Sequence, residues 1–141
     1  WVYIDAGHSD WQAPATMAKR LKSAGISYAR GFSTNVGNFR PTSAEKTYGN
    51  AVVRELKALK VAPKHFVIET ARNGGAADAI KAGEFCNPLG ARIGTTPRMV
   101  RSGNLDGYLW VKHPGESDGA CNGGPTAGTW WSAGALRLLG K

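Results

Sequence analysis

Acidic residues, cysteines and long apolar runs are all scarce in this chain, and each shortage closes off a class of function. Only 10 of the 141 residues are Asp or Glu, against 18 Lys or Arg, for a net charge of +8. An excess of that size suits a polyanionic partner. The cations are dispersed, however: Lys19, Arg20 and Lys22 fall on one predicted helix, and Arg54, Lys57 and Lys60 on another. There is no run of five basic residues and no RRM, zinc-finger or basic-zipper signature, so these read as solvated helix faces and no nucleic-acid partner is expected. No apolar stretch approaches the ~18 residues of a membrane-spanning helix, so no membrane partner is expected either. The two cysteines, Cys86 and Cys121, are too far apart for a CxxC redox or zinc motif. Their spacing leaves two readings, a disulfide or a pair of buried thiols. A bridge would contribute ~3–4 kcal/mol by closing a long loop, and would imply an oxidising, secreted setting.

Missing motifs narrow the chemistry further. Without a GxGxxG or Walker loop, a nucleotide cofactor is not expected, and no other cofactor is implied. His8, Asp5, Asp10 and Glu69 are metal-ligating types, but no His-x₃-His or comparable pair accompanies them, so no metal is expected. No serine occupies a G-x-S-x-G elbow and neither cysteine neighbours a histidine, which leaves covalent nucleophilic catalysis without support.

What is present reads as one domain with a real core. Hydrophobic residues make up 42% and the 19 glycines cluster between apolar runs, so tight loops connect buried elements. Trp1–Asp5 is predicted as a strand. A helix follows from Pro14 to about Ala24, with proline suited to its first turn and Met17, Leu21 and Ala24 on one face. Ile26–Phe32 holds a short strand. Thr42 and Glu45 form a T-x-x-E capping-box pattern, ahead of Tyr48, Val52, Leu56 and Leu59 at helical spacing; Pro63 ends that helix. His65–Thr70 is a strand. Residues 71–104 read as irregular, with a short helix near Ala76–Ala82. Leu105–Lys112 is the fourth strand, and Thr126 caps a closing helix that buries Trp130 or Trp131, Leu138 and Leu139. Asp106 reads as a turn residue, and His65 and Trp110 as structural. Strand–helix alternation implies an α/β protein with parallel strands and helices outside. Four strands make an open sheet or part of a larger barrel. The chain opens on a strand with no lead-in or initiator Met, which looks like a cut and favours the second.

Polar residues gather after each predicted strand: Asp5, His8, Asp10 and Trp11; then Ser33, Thr34, Asn35 and Asn38; then Glu69, Thr70, Arg72 and Asn73; then Lys112, Glu116 and Asp118. In a parallel α/β sheet these ends share one rim, where chemistry is carried. The last loop, Lys112-His113-Pro114-Gly115-Glu116-Ser117-Asp118-Gly119, joins a lysine to two carboxylates. It reads either as acid–base machinery or as a surface loop with a salt bridge. His8 fits a loop brace as well as a sugar contact, and Trp11 fits the core as well as a ligand. Carboxylates, amides, a lysine and tryptophan together suit a saccharide, with carboxylates for glycoside hydrolysis.

Tyr3-Ile4-Asp5-Ala6-Gly7-His8-Ser9-Asp10-Trp11, Gly31-Phe32-Ser33-Thr34-Asn35-Val36-Gly37-Asn38-Phe39, Arg72-Asn73-Gly74, Phe85-Cys86-Asn87-Pro88 and Leu109–Gly119 stand in this order along almost the whole chain. Together they resemble glycoside hydrolase family 6, the secreted endoglucanases and cellobiohydrolases that cut β-1,4-glucan with inversion. The resemblance implies the C-terminal half of a distorted parallel β/α barrel, about four strands with outer helices, filled by residues 1–141. It implies Asp118 as catalytic base candidate; Lys112, Glu116, His8, Trp11 and Asn35 or Asn38 as substrate-binding residues; Asp5, Arg72 and Asn73 in support; and a Cys86–Cys121 disulfide. Phe85, His113 and Glu69 depart from residues common in the family. The implied partners are β-1,4-glucan or a cello-oligosaccharide, and the N-terminal half of the barrel. The family's proposed general acid belongs to that half, so the isolated chain is expected to be inactive. The competing expectations are a non-catalytic carbohydrate-binding half-barrel and a fragment unable to fold alone.

Overall fold

In the computed structural model, which describes residues 1–76, 78–81 and 83–141, one five-stranded sheet organises the chain. The strands are β1 (Tyr3–Asp5), β2 (Gly31–Thr34), β3 (His65–Glu69), β4 (Arg98–Ser102) and β5 (Leu105–Leu109), in the spatial order β1-β2-β3-β5-β4. The first three and β5 run parallel, with Ile4 beside Phe32, Phe32 beside Phe66 and Ile68 beside Tyr108. Every residue of β2 is buried, as expected of a parallel strand covered on both faces. Helices α1 (Pro14–Ser23) and α2 (Thr42–Ala58) are the crossovers between the parallel strands. Their buried residues Met17, Ala18 and Leu21, and Tyr48, Val52 and Leu56, pack with Phe32, Phe66 and Ile68 into the main core. Phe32 and Phe66 stack with ring centroids 5.7 Å apart. Gly49 lets α2 close onto the Phe66 ring, which a side chain there would strike.

Several local expectations change. Residues 26–32 split into a 3₁₀ turn, Ile26–Tyr28, and β2. The expected count of four strands becomes five, because β4 forms a hairpin antiparallel to β5. Its residues Arg98, Met99, Arg101 and Ser102 are exposed, as suits a charged edge strand. The Thr42–Glu45 capping box does not form. Pro41 occupies the N-cap position and Thr42 is the first helical residue. The buried Glu45 carboxylate instead accepts the Ser9 N–H at 2.9 Å, bracing the loop after β1. Thr126 does not cap the closing helix: α3 spans Ser132–Leu138 and Trp131 is its N-cap residue. Leu138 is buried, but Trp130 and Leu139 are exposed. Asp106 lies in β5 rather than in a turn, and is buried at the N-terminal end of the sheet. The short helix placed near Ala76–Ala82 includes Ala77 and Ala82, which lie outside the described residues; their described neighbours form turns and bends.

Between β3 and β4 the chain leaves the sheet and crosses its C-terminal rim. A second small core lies there, made of Phe39, Ile80, Ala91 and Leu138 with Ile93 against them. It fastens α3 and the 71–97 excursion to the loop after β2. Cys86 and Cys121 are joined as a disulfide, with Cα atoms 6.1 Å apart. The rim is thus built from loops tied to one another, above a sheet that fixes where each loop begins.

Candidate active site

The parallel strands deliver four loops to one rim. From the loop after β3, Arg72 points back under the rim and is 4% exposed. Its Nη1 donates to Asp118 Oδ2 at 2.7 Å and its Nη2 to the Gly37 carbonyl at 3.2 Å, and its guanidinium lies 4.4 Å from the Phe39 ring centroid. One side chain from the loop after β3 therefore fixes both the loop after β2 and the loop after β5. Glu69 works beside it: Oε2 accepts the Gly37 N–H at 2.7 Å. The Gly37 peptide is held at both its N–H and its carbonyl. Burial pushes the Glu69 carboxyl up from the ordinary glutamate range, against the pull of the Gly37 N–H and Arg72. Its second oxygen, Oε1, is buried without a hydrogen-bond partner among the described residues.

Asp118 sits where these loops meet, its side chain 13% exposed. Oδ2 takes two donors, Arg72 Nη1 at 2.7 Å and the Asn87 N–H at 3.0 Å. Oδ1 accepts no hydrogen bond among the described residues; Lys112 Nζ stands 3.7 Å from it. Lys112 is also 3.8 Å from Glu116 Oε2. Glu116 Oε1 pairs with His113 Nδ1 at 2.8 Å, and this contact, aided by Lys112, holds the Glu116 carboxyl below the usual glutamate range. The loop that carries the lysine and two carboxylates is therefore divided. Asp118 is anchored from below with one oxygen open, while Glu116 lies toward solvent beside His113.

The remaining residues singled out in the sequence lie in two settings. Asp5 accepts the Gly7 N–H at 2.8 Å and shapes the first loop. His8 is half-buried, and burial pushes its imidazole down from the ordinary histidine value, against the pull of Glu45. Trp11 is 58% exposed, one flank packed over Gly7 and Arg20 5.7 Å from its ring centroid. Asn38 is half-buried and donates to the Val36 carbonyl at 3.1 Å. Asn35 is different. It is fully buried, donates to the Glu69 carbonyl at 2.9 Å and accepts the Arg40 N–H at 2.9 Å, which braces the loop from inside. Asn73 is buried too, donating to the Arg40 carbonyl and to Thr42 Oγ1. Reasoning from the sequence passed over Asn87 and Ser117 as individual residues, although both touch the Asp118 loop. Among the described residues, no group of three His, Cys, Asp or Glu side chains could hold a metal ion, and no helix is long and apolar enough to cross a membrane.

Comparison with known proteins places the chain in one family. Residues 1–141 match the family described as Glycosyl hydrolases family 6. Endoglucanase A of Cellulomonas fimi is 47% identical over 97% of this chain, and Endoglucanase 1 of Streptomyces halstedii is 46% identical over 99%. The endoglucanase Cel6 from Mycobacterium tuberculosis, solved with methyl-cellobiosyl-4-deoxy-4-thio-β-D-cellobioside, superposes with a TM-score of 0.86 over 99% of this chain, at 43% identity. The chain spans 29% and 42% of the two relatives' lengths, and 46% of the solved chain. Its mostly parallel sheet with flanking helices is a portion of an α/β barrel.

Proposed function

This chain belongs to glycosyl hydrolases family 6, and we propose that its 141 residues are the part of the catalytic domain that supplies the base side of β-1,4-glucan hydrolysis. The observation that carries the reading is the asymmetry of Asp118. One oxygen is tied down by Arg72 and the Asn87 N–H, and the other is left free beside Lys112. In an inverting hydrolysis, water attacks the anomeric carbon on the face opposite the leaving oxygen. The carbon–oxygen bond breaks and its electron pair leaves with that oxygen. A proton of the attacking water passes to Asp118 Oδ1, directly or through one further water. The leaving oxygen takes a proton from a second carboxyl group, which must stand roughly 6.5–9.5 Å from the base. We assign that acid to the portion of the family domain outside these residues, so the 141-residue chain alone has no turnover.

Lys112, Glu116, His8, Trp11 and Asn38 hold the sugar in this reading. Ammonium, carboxylate, imidazole and amide groups bond hydroxyls, and the exposed part of the Trp11 ring packs on the C–H face of a pyranose ring. Asn35, whose amide is spent on backbone groups, supports the loop instead. The substrate is a cello-oligosaccharide or cellulose chain, and the disulfide fits a secreted enzyme. The test follows cello-oligosaccharide hydrolysis by NMR, using the whole family-6 domain that carries these residues. Product appearing first as the α-anomer supports the proposal. First appearance of the β-anomer, or no hydrolysis by the folded domain, would overturn it.

A further inference from the structure

Asn87 lies on a stretch with neither helix nor strand, yet it is 4% exposed and its side chain is the hub of the Asp118 loop. Its Nδ2 reaches the Gly119 carbonyl at 2.8 Å, Ser117 Oγ at 3.1 Å and the Cys121 carbonyl at 3.2 Å. Its Oδ1 accepts the Asp118 N–H at 2.8 Å, while its own N–H donates to Asp118 Oδ2 at 3.0 Å. The two residues are thus joined reciprocally, backbone to side chain in both directions. Asn87 is itself held on every side. Cys86 before it is bridged to Cys121, and Arg137 of α3 donates to its carbonyl at 3.0 Å. Its φ of +48° is a left-handed conformation that asparagine tolerates better than most residues.

We propose that Asn87 is a positioning residue for Asp118. Its reciprocal bonds set the carboxylate so that Oδ2 meets Arg72 and Oδ1 is left facing the cleft. This inference rests on the reading of Asp118 as the base. The Asn87 side chain grips the Asp118 N–H and both neighbours of that residue, while its backbone N–H takes the carboxylate itself, so these contacts converge on Asp118. Fixing a catalytic group matters because a misplacement of ~1 Å costs about 10²-fold in rate, and such groups depend on a supporting shell with locked rotamers.

The experiment compares Asn87→Gly, Asn87→Asp and Asp118→Asn in the whole family-6 domain, measuring kcat, KM and melting temperature on a soluble cellulose derivative. Glycine keeps the positive φ and the backbone N–H and removes only the side chain. The expected result for Asn87→Gly is a kcat lower by about 10- to 100-fold with KM within about twofold, in protein still folded at the assay temperature. Asn87→Asp keeps the acceptor for the Asp118 N–H while losing the Nδ2 donors. It is expected to retain several-fold more turnover than Asn87→Gly. A purely structural amide would reverse that order, because a buried carboxylate would face the Gly119 and Cys121 carbonyls. Wild-type kcat in folded Asn87→Gly, or lower turnover in folded Asn87→Asp than in Asn87→Gly, would overturn the inference. If Asp118→Asn also keeps wild-type turnover, the failure belongs to the proposed function; if Asp118→Asn is inactive, it belongs to Asn87.

Discussion

Two aspartate–arginine pairs sit at opposite ends of the same sheet, and the use each makes of its carboxylate separates structure from chemistry. At the N-terminal end, Asp106 of β5 is 1% exposed and both its oxygens are fully engaged. Oδ2 accepts Tyr3 Oη at 2.7 Å and Arg30 Nε at 2.9 Å; Oδ1 accepts Arg30 Nη2 at 2.9 Å and lies 3.0 Å from His65 Nδ1. Residues of β1, β3 and β5, and the residue just before β2, meet at this one carboxylate. Arg30 holds the Asp106 carboxyl below the usual range, and burial, with Asp106 beside it, pushes the Tyr3 phenol up to about 12. At the C-terminal end, Asp118 has the same kind of partner but leaves one oxygen with no hydrogen-bond donor among the described residues. A saturated carboxylate has no capacity left for a proton or a substrate water. A half-saturated one is held in place and still able to react.

Substitutions should break this comparison in opposite directions. The largest effect is expected for Asp118→Asn, which keeps an acceptor for Arg72 but removes the base: kcat on a soluble cellulose derivative falls about 10³-fold in the whole domain. Next comes reduction of the Cys86–Cys121 bridge, which closes a separation of 35 residues. Denaturant melts with and without reductant should differ by about 3–4 kcal/mol. Hydrogen exchange should show the loss at the rim loops before the amides of β1, β2 and β3 are affected.

Asp106→Asn is expected to cost about 3 kcal/mol, the low end for removing one partner of a buried ion pair, because Arg30 is partly in solvent. Its pH dependence follows from the lowered Asp106 carboxyl. The stabilisation is present above the ordinary aspartate value and is lost as pH falls through the lowered folded value. Wild type and variant should therefore converge on acidification. The smallest effect is expected for Glu69→Gln, on the order of 1 kcal/mol. The Glu69 carboxyl is pushed up in the folded state, so its ionisation costs stability as pH rises from the ordinary glutamate range through the raised value. Glutamine does not ionise, and the melting temperature of Glu69→Gln should gain on wild type as pH rises from the ordinary glutamate range through the raised value. A constant difference across that range would remove Glu69 from the pH response.

What could be read from the sequence follows how local each signal is. The buried strand at 65–69 carries the apolar run Phe66-Val67-Ile68, and α2 carries Tyr48, Val52 and Leu56 at helical spacing; both are patterns within one segment. The rim followed from the strands, because parallel strands place their ends together. Asp106 was misplaced because the residues beside it in sequence suggest a turn, while its partners come from positions 3, 30 and 65. Asn87 escaped for the same reason: its partners lie 30 or more residues away. The T-x-x-E pattern at Thr42 misled because a local rule met a tertiary need. Glu45 is spent on Ser9, and with Pro41 at the N-cap the helix starts one residue earlier than that pattern implies. Asn35 and Asn38 are the same residue type three positions apart, and only burial tells them apart.

The most direct test of the contrast between the two carboxylates measures kcat and melting temperature for Asp118→Asn and Asp106→Asn side by side in the same family-6 domain. The predicted result is a crossed pair of losses. Asp118→Asn loses turnover and melts near wild type, while Asp106→Asn melts lower and, where folded, turns over at the wild-type rate. Wild-type turnover in Asp118→Asn, or lost turnover in folded Asp106→Asn, would contradict it.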